Sequence, residues 1–148
     1  MIGVALSRWT MSYFATALIA LIAAEGLMLA GFGYPNAAIS APQSLVLVHL
    51  VAIGWLSLLL CGALFQFVPV LVARSLYSNS LPLPTLALLV SGLCALLLGF
   101  LQLSGSTGSR FGFFPAAAIL LGAGFALVIW NLGRTLWSAR PLTLPARF

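Results

Sequence analysis

Two side chains stand alone in this sequence: its only histidine, His49, and its only acidic residue, Glu25. Both fall inside long apolar stretches. A neutral imidazole there can ligate a metal, accept or donate a hydrogen bond, or pass a proton. A carboxylate in such surroundings is a functional candidate by default, because keeping it there is costly without a partner. The two cysteines, Cys61 and Cys94, also sit in apolar runs and are too few for a disulfide framework. Packing is the role expected of them.

The elements that must hold these residues are dictated by composition. The 148 residues are 63% hydrophobic and 5% charged, against about 25% charged in a soluble domain. So much apolar surface calls for lipid as the solvent. Roughly 20 apolar residues span a bilayer as a helix, and four stretches qualify: 11–32, 45–73, 85–103 and 115–137. Tyr34-Pro35-Asn36, Pro42, the 75–84 stretch and the Ser/Gly/Thr run at 104–109 break the chain between them. The expected fold is all-α: one integral membrane four-helix bundle with short connections and antiparallel neighbours. It has no separate soluble domain and no internal repeat. The amino terminus lacks a clean small-residue cleavage site and reads as a span rather than a signal peptide.

All six cations are arginine. Arg8, Arg74, Arg134, Arg140 and Arg147 fall on one side of a four-span topology and Arg110 on the other. That asymmetry expects both termini in the cytoplasm. Trp9 and Trp137 then mark the inner interface, and Tyr34 with Phe111, Phe113 and Phe114 the outer one. Scattered at span ends, the arginines report topology and give no nucleic-acid footprint. The localisation expected is the bacterial inner membrane, with lipid the first partner. Gly92, Ala95 and Gly99 in the third span, and Gly122, Gly124 and Ala126 in the fourth, are small residues expected to let helix backbones approach. Gln66, Gln102 and Asn131 read as interhelical hydrogen-bonding groups, and Trp55 and Trp130 as packing residues.

On a wheel of about 100° per residue, His49 shares a face with Ile53, Leu56, Leu60, Ala63 and Phe67. Gly54, Trp55, Gly62, Gln66 and Pro69 fall opposite. The first face is a greasy strip with an imidazole at its outer end. Such a strip suits a flat apolar disc such as heme, with the histidine as axial ligand and Arg110 near the propionates. Glu25 lies at comparable depth and is a candidate to orient the other ring nitrogen of His49. The alternative for His49 is a structural hydrogen bond to a carbonyl or to Glu25.

The run from His49 through Gly54-Trp55, Gly62-Ala63, Phe65 and Val68-Pro69 resembles the second helix of subunit I in the heme-copper oxidase and nitric oxide reductase superfamily. It also looks like small four-helix membrane proteins related to that subunit. The resemblance implies an outer-side histidine, here His49, as axial ligand of a low-spin heme b. It covers about one helix. The superfamily's second axial histidine, its copper-site histidines and its high-spin heme ligand have no counterpart in this chain. A terminal oxidase activity by this chain alone is therefore not implied.

Three readings follow. The first is a heme-b-binding membrane protein for electron transfer or for heme or gas sensing. His49, Ile53, Leu56, Leu60 and Arg110 would contact the cofactor, and Glu25 would stand behind the histidine. The second axial position would be empty, filled by a weak ligand such as Met28, or filled by His49 of a second copy in a homodimer, and a redox partner is a further candidate. The second is a non-catalytic assembly or structural subunit with no cofactor. The third, a small transporter component, is weaker, since the strip offers no polar lining.

Overall fold

The computed structural model describes residues 7–105 and 112–139. Arg110, Phe111, Arg140 and Arg147 lie outside them. Four helices run through the described residues: α1 (Arg8–Leu29), α2 (Pro42–Leu71), α3 (Pro82–Leu103) and α4 (Phe113–Ser138). Each is long and apolar enough to cross a membrane. The shortest, at 22 residues, is about 33 Å long at roughly 1.5 Å per residue, against a hydrocarbon core of about 30 Å. The four expected spans are all present, and their ends move by no more than three residues.

The moves have local causes. Ser7 caps α1, its Oγ accepting from the Thr10 N–H at 3.3 Å, so the helix starts ahead of the apolar run. It ends at Leu29, stopped by Gly31 rather than by Pro35. Gly31 takes φ +79°, and the N–H groups of Gly31 and Phe32 donate back to the carbonyls of Met28 and Leu27. That is a Schellman ending. α2 begins at Pro42, whose fixed φ and missing N–H suit the first helical position. Its far end repeats the Schellman pattern with a residue poorly suited to it. Ala73 sits at φ +50° while Ala73 and Arg74 donate to Val70 and Pro69.

Within α2 the regular turn is interrupted. Residues Leu50–Ser57 form a π-helix, closed by i→i+5 bonds such as the Leu58 N–H to the Ile53 carbonyl. The Ser57 hydroxyl donates to the Ala52 carbonyl at 2.8 Å, also five residues back. The wheel drawn for a uniform α-helix therefore fails past residue 50. Each π residue advances by less than the roughly 100° of an α-helix, and the lag accumulates over eight residues.

Helix α2 occupies the middle of the bundle. It packs on α1 along one side and on α3 and α4 along the other, while α3 and α4 pair along their length. Gly54 and Gly62 explain the close approach of α1. A Cβ on Gly54 would lie 2.8 Å from the Ala20 Cβ, and one on Gly62 would lie 2.7 Å from the Tyr13 Cβ. Gly54 and Gly62, opposite His49 on the wheel, thus pack on neighbouring helices. In the α3–α4 pair, Gly92 receives Leu121 and Gly124 receives Leu89. Gly99 meets the Phe114 ring. Gly122, expected to pack with them, has open space where its Cβ would stand. Ala126 lies exposed on the same outer side.

Two apolar clusters divide the interior. One centres on Tyr13, Leu58, Phe65, Leu89 and Val128, and the other on Ala20, Ala24, Val46, Leu50 and Leu93. Polar groups in the first half are mostly satisfied. The Tyr13 hydroxyl donates to the Pro82 carbonyl at 2.9 Å. The Gln66 Oε1 accepts from the Thr10 hydroxyl at 3.3 Å, joining α2 to α1 as expected of an intramembrane amide. Asn131 holds the α2–α3 connection instead of a helix. Its Oδ1 accepts from the Ser78 N–H and its Nδ2 donates to the Ser78 carbonyl, each at 3.0 Å.

Candidate functional site

His49 is the last α-helical residue before the π segment. Its Nδ1 lies 2.7 Å from the Leu45 carbonyl, one turn back. A carbonyl only accepts, so Nδ1 carries the proton and donates. In the neutral ring Nε2 is then the bare nitrogen, and it has no hydrogen-bond partner among the described residues. One ring face rests against Phe100 of α3, with centroids 4.8 Å apart and the planes tilted by 38°. Phe100 is in turn edge-on to Phe114 of α4 at 5.3 Å. The imidazole is half-buried, held on the α3 flank of α2 by a fixed tautomer and an aromatic wall.

The residues grouped with His49 on the wheel part company across the π segment. Ile53 packs on the cluster of Ala20, Ala24, Val46, Leu50 and Leu93. Leu56 turns to the α1 side and lines an open apolar groove of about 490 Å³ with Met28, Val48, Val51 and Ala52. Leu60 and Phe67 are exposed on the outer surface. Arg110 lies outside the described residues. Met28 lines the same groove as Leu56. Nothing in the residue types of 50–57 announces the changed pitch, so the wheel had no means of registering it.

Glu25 lies near the far end of α1 on its exposed side, one residue past the buried Ala24. The Gly54–Ala20 contact fixes its height. Counting five residues up α1 and five down antiparallel α2 sets Glu25 roughly level with His49. The two are level but on different flanks: Glu25 looks outward from α1 and His49 toward α3. Within one chain the carboxylate does not orient the imidazole, whose Nδ1 is already taken by Leu45. Glu25 has no hydrogen-bond or ion-pair partner among the described residues.

The donor set for a metal is small. No group of three or more His, Cys, Asp or Glu side chains comes together among the described residues. The one histidine with a bare Nε2 has the chemistry of an axial heme ligand. Phe100 covers one face of the ring.

A second constellation was not singled out from the sequence. At the opposite end of the bundle, the Arg134 guanidinium carbon lies 5.1 Å from the Tyr77 ring centroid and 5.7 Å from that of Trp130. Trp130, expected to pack inside, is exposed. The clue available was the spacing Trp130, Gly133, Arg134, Trp137, which puts two aromatics, a gap and a cation on one side of a helix.

Comparison with known protein families, with curated proteins and with solved structures finds no match to this chain. What stands is an all-helical protein with four helices long and apolar enough to cross a membrane, and a surface suited to lipid.

Proposed function

We propose that this chain is a heme-b-binding integral membrane protein with His49 as axial ligand, one per chain, acting in electron transfer or in heme or gas sensing. The observation that carries the reading is the 2.7 Å contact of the His49 Nδ1 with the Leu45 carbonyl. Donating there, Nδ1 leaves Nε2 bare at the mouth of a π-helical segment, a feature frequent at functional sites. Backbone hydrogen bonding at the far nitrogen is also what orients ligating histidines in general. With one histidine per chain, the second axial ligand in this reading comes from the partner copy's equivalent of His49 in a two-fold dimer. Such a heme supplies one-electron chemistry; the residues of this chain would hold it and exclude water. Both termini face the cytoplasm of a bacterial inner membrane in this reading, by the arginine asymmetry.

The test is spectroscopic. Protein expressed with heme available and purified in mild detergent should show a Soret band and a sharp reduced α band, both lost in His49→Ala together with the dimer-bound heme. A colourless wild-type protein sinks the proposal. It would favour a cofactor-free assembly or structural subunit, the reading that the stacking of His49 on Phe100 supports.

A further inference from the structure

The Arg134 constellation is built, and its construction starts with buried groups on α4. Asn131 and Thr135 are fully buried there. Thr135 Oγ1 accepts from the Tyr77 N–H at 2.9 Å and donates to the Asn131 carbonyl at 2.8 Å. Asn131 brackets Ser78 from both sides of its peptide. These bonds pin the α2–α3 connection onto the last turns of α4 and set the Tyr77 ring over Arg134. Trp130, one turn back on α4, supplies the second ring. The guanidinium is thereby held in place with no carboxylate beside it among the described residues. Among the described residues it has no ion pair, and the only acidic side chain, Glu25, is near the other end of the bundle.

Beside it runs a groove of about 600 Å³ lined by Ala126, Ile129, Trp130, Gly133, Arg134 and Trp137. Its walls are open to the outside: Ile129 is 72% exposed, Trp130 56% and Trp137 65%. Its floor is Gly133, where an added Cβ would meet nothing within 4 Å. A channel of this kind on a membrane-facing helix, apolar along its length and cationic at the interfacial end, matches one kind of molecule. We propose that it is a binding site for an anionic phospholipid. The headgroup phosphate accepts from the Arg134 N–H donors, and one acyl chain lies over Gly133 between Trp130 and Trp137. The occupant is argued from charge: the cation is fixed, the chain offers it no side-chain anion nearby, and the adjoining surface is hydrocarbon. The site does not depend on heme.

The full-length protein in nanodiscs containing equal phosphatidylglycerol and phosphatidylcholine, released into native mass spectrometry, tests this. One arginine near an anionic surface is worth a factor of about five in binding, so the retained lipid should favour phosphatidylglycerol about five-fold. The preference should vanish in Arg134→Gln. In Gly133→Leu, which fills the groove without a steric clash at Cβ, retention of any lipid at this stoichiometry should fall. Inorganic phosphate, lacking an acyl chain, should not compete. Equal retention of both lipids by the wild type, an unchanged preference in Arg134→Gln, or undiminished retention in Gly133→Leu would overturn the proposal. Displacement by inorganic phosphate would also overturn it, marking a bare anion site. Circular dichroism of both variants confirms that the helices remain.

Discussion

Buried polar atoms decide most of what single residues do here. Thr85 is fully buried, and its Oγ1 is the one buried side-chain polar atom without a partner among the described residues. Such an orphan costs free energy, and removing it with a shape-matched apolar group is neutral or favourable. Thr85→Val should therefore leave stability unchanged or raise it by up to about 1 kcal/mol, read from denaturation in detergent. A clear loss would mean that the hydroxyl has a partner after all. His49 is the opposite case. One nitrogen is spent on Leu45 and the other is open, so its substitution should be cheap for the fold and decisive for any ligand. The spectroscopic test separates these two consequences.

At the scale of elements, glycine placement fixes how near the helices come. Gly92 and Gly122 look alike in sequence, each in an apolar span beside other small residues. They differ in what faces them. A Cβ at Gly92 would lie 2.9 Å from the Leu121 backbone nitrogen, which cannot swing aside, whereas at Gly122 it would meet nothing within 4 Å. Overpacking typically costs about 1–3 kcal/mol. Gly92→Ala should fall in that range, and Gly122→Ala should be neutral or slightly stabilising through helix propensity. Equal effects in an unfolding titration would contradict the α3–α4 packing described above. The π segment of α2 belongs to this scale too. It lets Gly54 and Gly62 both face α1 while His49 lies against Phe100 of α3.

For the whole molecule, topology is the open quantity of most consequence. If both termini are cytoplasmic, residue 112 lies outside the membrane and residue 138 inside. With Cys61 and Cys94 replaced by alanine, Gly112→Cys should react with a membrane-impermeant maleimide in intact cells. Ser138→Cys should react only after permeabilisation. The reverse pattern would invert the bundle and place the Arg134 groove in the outer leaflet.

What the residue order determined by itself is the number, length and character of the helices. The cause is local: in lipid the backbone must satisfy its own hydrogen bonds, so an apolar run of sufficient length has one outcome. It also singled out His49 and Glu25, because a lone titratable group in such a run is visible without coordinates. Tertiary structure decided which flank each one faces. A change of pitch runs through eight residues of α2, where Leu56 lines a groove with Met28 and Leu60 is exposed, and the packing of α1 on Gly54 put Glu25 level with the imidazole on the exposed side of α1. The Arg134 groove needed the fold as well, since Tyr77 and Trp130 are 53 positions apart in the chain. Only the Asn131 and Thr135 clamp brings their rings to one cation. Helix formation answers to neighbours along the chain, whereas the direction of a side chain answers to whatever the rest of the bundle presses against it.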